Sequence, residues 1–317
     1  MKLLSMSGFV PEQICDIIRF TKYKGERSIT HYCGYASDFI SQVIQDDEID
    51  GAVYPRSCDS SRILSDYLCE TGKFLYQMHI PPRQDESAIY YFTNIVKDYK
   101  ANIESYFHVA IHDNDVRERT EYINQRNKRL QEIYKDIGSV SYAKFLNEIH
   151  RMLQNPLKGQ YIPSNLNKKE CMGMGKRVFI VGSFLSNIRV AEAIEEAGMS
   201  VEGDNITESS RLFMAPCVEL SGDIYYNIAK SILSNRLSPT QGNFKQIIEN
   251  DMQMINEKDI KGVIFVTQKY CEPYDYLFSV YKKTLDEKGI PNIKINLSDT
   301  EGVGKIELVM ESFADIL

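Results

Sequence analysis

The chain alternates short strand-like runs with longer helical ones. "DGAVYP" (50–55) is a β-type run, "SSRILSDYLCET" (60–71) has helical periodicity, and "KFLYQMHIPP" (73–82) is a second β-type run halted by prolines. Strand, helix, strand in this order predicts a right-handed parallel crossover. From about 86 to 155 the pattern turns helical, with Tyr90, Tyr91, Ile95, Val96 and Tyr99 on one stripe and Tyr122, Ile123, Leu130, Ile133 and Tyr134 on another. Both stripes read as faces packed inward. "NPLKGQYIPSNLNKKECMGMGK" (155–176), rich in Pro, Gly and Asn, breaks the pattern. It predicts an N-terminal domain over 1–158 with a helical segment, a linker over 159–176 and a C-terminal domain over 177–317.

Beyond the break, "RVFIVGS" (177–183), "MSVEGDNI" (199–206), "KGVIFVTQ" (261–268) and "IPNIKINLS" (290–298) read as strands. The intervals between them, and "GKIELVMESFADIL" (304–317) after the last, read as helices. The expected fold is α/β: two doubly wound, Rossmann-like domains with parallel sheets and a helical insertion after the first. The halves could be distant structural copies.

Composition narrows the function. The 317 residues include 43% apolar positions, enough for two cores, and a net charge of −7 argues against a nucleic-acid partner. No window approaches the roughly 18 apolar residues of a membrane span, and the N-terminus lacks a secretory cleavage pattern, so a cytoplasmic location is expected. The seven cysteines are odd in number and scattered, with no CxxC pair. They fit reduced thiols or metal ligands better than a disulfide framework.

Two thiols occupy equivalent places. Cys58 follows the strand "DGAVYP" and Cys271 follows "KGVIFVTQ", each just before a helix. Ligands gather beyond the carboxyl ends of strands in open α/β sheets, and a helix N-terminus favours thiolate. A shared metal site and two buried structural thiols both remain open on this pattern. Asp59 or Ser60 is available to cap the first helix. "VGSFLSN" (181–187) follows a strand and opens a helix, but neither a spaced-glycine dinucleotide fingerprint nor a P-loop is present. Gly182 and Ser183 either form a plain turn or cradle a ligand. "GDNITESSRL" (203–212) brings Arg211 to another strand end. Glu272 adjoins Cys271, and His31 lies two residues before Cys33 in "HYCGY"; His108 and His112, four apart, could share a helical face but complete no metal set.

Together, "CDSSRIL" (58–64), "GSFLSN" (182–187), "VEGDNITESSRL" (201–212) and "KYCEPYDYLFSVYKKTLDEKGIPNIKINLSDTEG" (269–302) resemble the benzoyl-CoA reductase/2-hydroxyglutaryl-CoA dehydratase family. "YINQRNKRLQEIY" (122–134) is similar to a helix of that family, and Cys33 falls where the family places its first cluster cysteine. The likeness runs from about Ser28 to the C-terminus.

The resemblance implies that Cys33, Cys58 and Cys271 hold a [4Fe-4S] cluster between the two domains, with one iron left open. It implies an electron delivered by an ATP-hydrolysing iron–sulfur activator, and a ketyl-radical elimination of water from a 2-hydroxyacyl-CoA thioester. An alternative within the same family is a non-catalytic electron-relay subunit or a homodimeric reductase with a larger cluster. A related subunit, as a heterodimer, or a second copy is the expected partner. Glu272 and His31 are candidate catalytic groups, and Ser183 and Arg211 candidate substrate contacts. Cys15, Cys69, Cys171 and Cys217 are expected to be structural thiols.

Overall fold

The computed structural model describes residues 1–6, 8–20, 32–154, 166, 176–185, 187–235, 238–297 and 303–317. His31, Cys171 and the expected linker over 159–176, apart from Leu166 and Lys176, lie outside the described residues.

Two four-stranded parallel sheets organise the chain. The first holds β1 (Leu3–Ser5), β2 (Ile17–Arg19), β3 (Gly51–Arg56) and β4 (Phe74–His79) in the order β2-β1-β3-β4. The second holds β5 (Arg177–Gly182), β6 (Ser200–Asn205), β7 (Gly262–Gln268) and β8 (Asn292–Leu297) in the order β6-β5-β7-β8. Each sheet therefore runs second, first, third, fourth. The fold is α/β with two Rossmann-like halves, as the periodicity predicts, and the halves are topological copies. In each half the order reverses between the first and third strands. Loops leaving those strands splay apart there and open a crevice at the carboxyl edge.

Helices α1 (Gly34–Gln45), α2 (Asp59–Arg62), α3 (Leu64–Leu68), α4 (Glu86–Phe107), α5 (Asp113–Lys135) and α6 (Tyr142–Gln154) come from the first half of the chain. The second half contributes α7 (Arg189–Glu196), α8 (Ser210–Phe213), α9 (Ile224–Leu233), α10 (Phe244–Glu257), α11 (Glu272–Glu287) and α12 (Val303–Ala314). Their packing crosses sequence order. Leu146, Ile149 and Leu153 of α6 join the core of the second sheet with Val178 and Ile264. Ile224, Ile228 and Leu233 of α9 join Val96 and Tyr99 of α4 over the first sheet. Exchanged apolar faces of this kind bury one half's helix against the other's core.

The aromatic stripe of α4 is displaced from its expected place. Phe92, Val96, Tyr99 and Ile103 are buried, whereas Tyr90 and Tyr91 face outward, 57% and 43% exposed. Tyr90 instead meets Tyr226 of α9, and the Tyr91 hydroxyl pairs with His79 Nδ1 at 2.7 Å. His108 ends α4 in the left-handed region (φ 54°) and His112 starts α5, so the two do not share a helical face.

Gly182 closes β5 where the sheet is tightest. A Cβ there would stand 2.2 Å from the carbonyl oxygen of Val266 on β7. The missing side chain serves the close approach of two strands. Gly182→Ala should push β5 from β7 and cost on the order of 1–3 kcal/mol, read from urea unfolding midpoints. An unchanged midpoint would show that the sheet gives way freely.

Candidate functional site

Cys33, Cys58 and Cys271 each occupy the N-cap of a helix: α1, α2 and α11. β3 feeds Cys58 and β7 feeds Cys271, the third strand of each sheet, so both thiols stand beside a switch-point crevice. The two crevices open on one cavity of about 150 Å³, and all three cysteines line it. Backbone N–H groups of the first helical turns, those of Ser61 and Tyr274, bond to the Cys58 and Cys271 sulfurs and favour their thiolate forms against burial.

Local chemistry fixes these positions. The Cys58 cap is reciprocal: its side chain accepts from the Ser61 backbone, while Ser61 Oγ accepts from the backbone N–H groups of Ser57 and Cys58 at 3.1 and 3.0 Å. Ser61, not Asp59 or Ser60, is the capping partner. Asp59 points outward to the Arg62 guanidinium, 3.3 Å away. Ahead of Cys271, Tyr270 sits at φ 65°, an unfavourable setting for a bulky residue of the kind that clusters at functional sites.

The sulfurs feel one another. The Cys271 thiol is pushed well above its ordinary range, first by its hydrogen bond with Cys33, then by burial and by the charges of Cys33 and Cys58. Burial is the main cause that raises Cys58, with Cys33 adding to it. The Cys58 and Cys271 thiols thus hold their protons until a cation takes their place, since metal binding replaces protons on its ligands. Among the described residues, no three His, Cys, Asp or Glu side chains stand close enough to hold a single metal ion. The three thiols that line the cavity are the donor type that iron–sulfur clusters take.

Of the other sequence candidates, Ser183 and Arg211 line the same cavity and are 2% and 7% exposed. Among the described residues, Ser183 Oγ has no hydrogen-bond partner. One Arg211 nitrogen donates to the Gly182 carbonyl at 3.0 Å and to Thr207 Oγ1 at 2.5 Å, and the guanidinium lies 5.5 Å from the Tyr274 ring centre. Buried Asp204 holds the loop that carries Arg211, accepting from Ile206 N, Ser210 N and Ser209 Oγ at 3.0, 3.2 and 2.9 Å. Glu272 is exposed on the first turn of α11 and does not line the cavity. Cys15 lies elsewhere, buried against the Tyr99 hydroxyl at 3.4 Å with its thiol pushed up to about 11 chiefly by burial, and Cys69 and Cys217 are exposed.

Sequence reading missed two parts of the cavity wall and a buried pair behind it. Tyr35 of α1 and Phe184 after β5 stack face to face, ring centres 3.4 Å apart and planes 7° apart, joining the two halves beside the thiols. Glu12, Arg19 and Arg126 form a buried charged group: Arg126 donates to both Glu12 oxygens at 3.1 and 2.5 Å, and Arg19 Nε lies 3.9 Å from Glu12 Oε2. Burial alone would raise the Glu12 carboxyl, but the Arg126 and Arg19 charges overcome it and hold it at about 2. Behind the Arg211 loop sit Glu208 and His150, 4.0 Å apart and too far for a hydrogen bond. Burial drives both toward neutrality, Glu208 up to about 8 and His150 down to about 4.

That pair sets a pH window. Glu208 carries its proton in the folded chain well above its unfolded value, so this part of the stability is full below about 4.5 and falls as pH rises toward about 8. Glu208→Gln keeps an acceptor for the Leu185 N–H but cannot ionise. The variant should unfold at a temperature that changes less between pH 5 and 8.5 than the parent's. Parallel pH profiles for the two would contradict a protonated Glu208.

Two parallel α/β halves with a thiol-lined cavity at their facing switch points define the class: a two-domain Rossmann-like protein with a three-cysteine site. The chain belongs to the 2-hydroxyglutaryl-CoA dehydratase D-component family, whose model matches residues 3–317. It is similar to the beta subunit of (R)-phenyllactyl-CoA dehydratase from Clostridium sporogenes, 26% identical over 121 residues, which are 38% of this chain and 32% of that one. The chain thus matches about a third of that relative's length. It is also similar to the beta subunit of (R)-2-hydroxyglutaryl-CoA dehydratase from Acidaminococcus fermentans, 20% identical over 339 aligned positions covering 100% of this chain and 89% of that one. Among the described residues, no helix is long and apolar enough to cross a membrane.

Proposed function

We propose that this chain is the [4Fe-4S] subunit of an ATP-activated 2-hydroxyacyl-CoA dehydratase, with Cys33, Cys58 and Cys271 as the cluster's protein ligands. The observation that carries the reading is the convergence of these three helix-capping thiols on one cavity between matching halves. A bound cluster supplies one-electron chemistry at low potential, and three protein thiolates leave one of its irons open. The chain's own residues supply the rest. The Tyr35–Phe184 stack gives the cavity an aromatic wall beside the thiols, and Ser183 Oγ and Arg211 offer buried donors to the polar end of an acyl thioester. A related subunit as partner and an iron–sulfur activator that hydrolyses ATP complete the assembly. Both curated relatives are named as beta subunits, which supports the partner.

A second reading within the same family is an electron-relay subunit that never touches the thioester. One assay parts the two. With activator, ATP and a panel of 2-hydroxyacyl-CoA thioesters under anaerobic conditions, the dehydratase reading predicts enoyl-CoA formation that falls in Ser183→Ala and Arg211→Met at unchanged iron content. Turnover that needs this chain's cluster but ignores both substitutions supports the relay. Absence of turnover with every thioester, with and without a related partner subunit, contradicts the dehydratase assignment.

A further inference from the structure

Glu208 sits behind the cavity wall, buried in the loop between β6 and α8. That loop is knitted to the one leaving β5. The Leu185 N–H donates to Glu208 Oε1, the Thr207 N–H donates to the Ser183 carbonyl at 3.1 Å, and Arg211 donates to the Gly182 carbonyl. Ser183, Phe184, Thr207 and Arg211 from these same segments line the thiol cavity. A change of charge at Glu208 therefore arises one residue from the wall.

The polar surroundings of this carboxyl are incomplete. Among the described residues, Glu208 Oε2, His150 Nε2 and Arg211 Nε make no hydrogen bond. A buried carboxylate with an open oxygen is costly, and the neutral acid costs far less. His150 of α6 supplies no counter-charge, because burial pushes it down to about 4 and leaves the ring neutral. Burial is also what chiefly raises Glu208, to about 8; the charge of Asp204 on β6 adds to the rise and that of Arg211 on α8 opposes it. Arg211 in turn donates to neutral oxygens, the Gly182 carbonyl and Thr207 Oγ1, and pairs with no carboxylate among the described residues.

A guanidinium at the wall and a neutral carboxyl behind it form a two-state charge system. With the proton on Glu208, the Arg211 charge is open to negative charge in the cavity. With the proton off, the Glu208 carboxylate offsets it. Linkage makes the effect reciprocal, so negative charge brought into the cavity tightens the hold of Glu208 on its proton.

We propose that Glu208 is a proton switch for the Arg211 side of the thiol cavity, keeping or taking up a proton when negative charge enters. Where that charge is an electron placed on a group held by the three thiols, the proposal rests on the cluster reading; the coupling of Glu208 to Arg211 does not. One electron from a reductant and one proton from solvent, placed on a Glu208 oxygen, leave the total charge of the buried site unchanged.

Infrared titration of the full chain, purified anaerobically, reads the switch. The carbonyl stretch of a protonated carboxylic acid should be present at about pH 6.5, absent from Glu208→Gln, and lost in the parent with a midpoint at about 8. Arg211→Met should raise that midpoint by about one pH unit, because a positive charge that favours the carboxylate is gone, and Arg211→Lys should raise it less. After reconstitution with iron and sulfide, dithionite titration gives the reduction midpoint. It should fall as pH rises through the window in the parent and stay flat in Glu208→Gln; a tenfold difference in proton affinity between oxidised and reduced chain appears as about 59 mV. Absence of the infrared band at pH 6.5, or a midpoint that Arg211→Met leaves unmoved, would overturn the switch. Equal pH slopes of the potential in the parent and Glu208→Gln would overturn it as well. If Arg211→Met fails to fold, those slopes decide. If the chain holds no iron, the cluster reading falls and the Arg211→Met shift alone decides the switch.

Discussion

In urea unfolding at pH 7, Arg126→Met is expected to lower stability by about 3–5 kcal/mol, because it strands a buried carboxylate. Arg126 is 1% exposed and reaches Glu12 through two hydrogen bonds from α5. With it gone, the Glu12 oxygens keep, among the described residues, the Arg19 guanidinium, 3.9 Å away and not hydrogen-bonded to them. Packing on the cavity side suffers too, since Glu12 belongs to the segment joining β1 to β2 and Arg126 ties that segment to α5. The pH dependence follows from the carboxyl. Glu12 is held at about 2, below its unfolded value, so its stabilisation is fully present above about 4.5 and is lost as pH falls toward about 2. The deficit of the variant should therefore shrink in acid over that interval. Glu12→Gln in the Arg126→Met background should recover part of the loss, because the uncompensated negative charge is gone. A deficit under 1 kcal/mol, or one independent of pH, would contradict a buried ion pair that joins these elements.

The second large effect concerns the thiols. After anaerobic reconstitution with iron and sulfide, replacing any one of Cys33, Cys58 or Cys271 by Ala should remove most of the bound iron. Cys15→Ala, Cys69→Ala and Cys217→Ala should leave it unchanged. The contrast is geometric: the first three line the cavity from helix N-caps, whereas Cys15 packs against Tyr99 and the other two face solvent. Equal iron loss across all six would point to adventitious binding by thiols in general, and full retention in the first three would remove the site.

What the sequence made legible follows from signal length. β3, β4, β5, β6, β7 and β8, each six or seven residues long, announce themselves by β-rich runs with turn residues at their ends. β1 and β2 have three residues each, too short for any period, and their apolar character looks no different from a buried loop. Missing them hid the 2-1-3-4 order shared by the two sheets. It also hid Arg19, which reaches the cavity from the end of β2. Tyr90 and Tyr91 show the limit of an aromatic stripe. Adjacent residues on a helix point about 100° apart, and the apolar face of α4 is set by Phe92, Val96, Tyr99 and Ile103.

Cys58 and Cys271 were visible locally because each follows a full-length strand and precedes a helix. Cys33 was not; only the family likeness drew it in. The Glu12–Arg126 pair joins residues 114 positions apart, and the Tyr35–Phe184 stack joins opposite halves. No window along the chain contains both partners of either contact. Glu272 illustrates the converse: it is adjacent to Cys271 in sequence but exposed, outside the cavity lining.

The most direct measurement is the iron and sulfide content of the anaerobically reconstituted full chain, taken with its EPR spectrum after reduction. The account predicts about four irons and four sulfides per chain and a signal from a reduced cubane, all lost in the Cys33→Ala/Cys58→Ala/Cys271→Ala variant. A colourless parent protein, or iron and signal that persist unchanged in the triple variant, would contradict it.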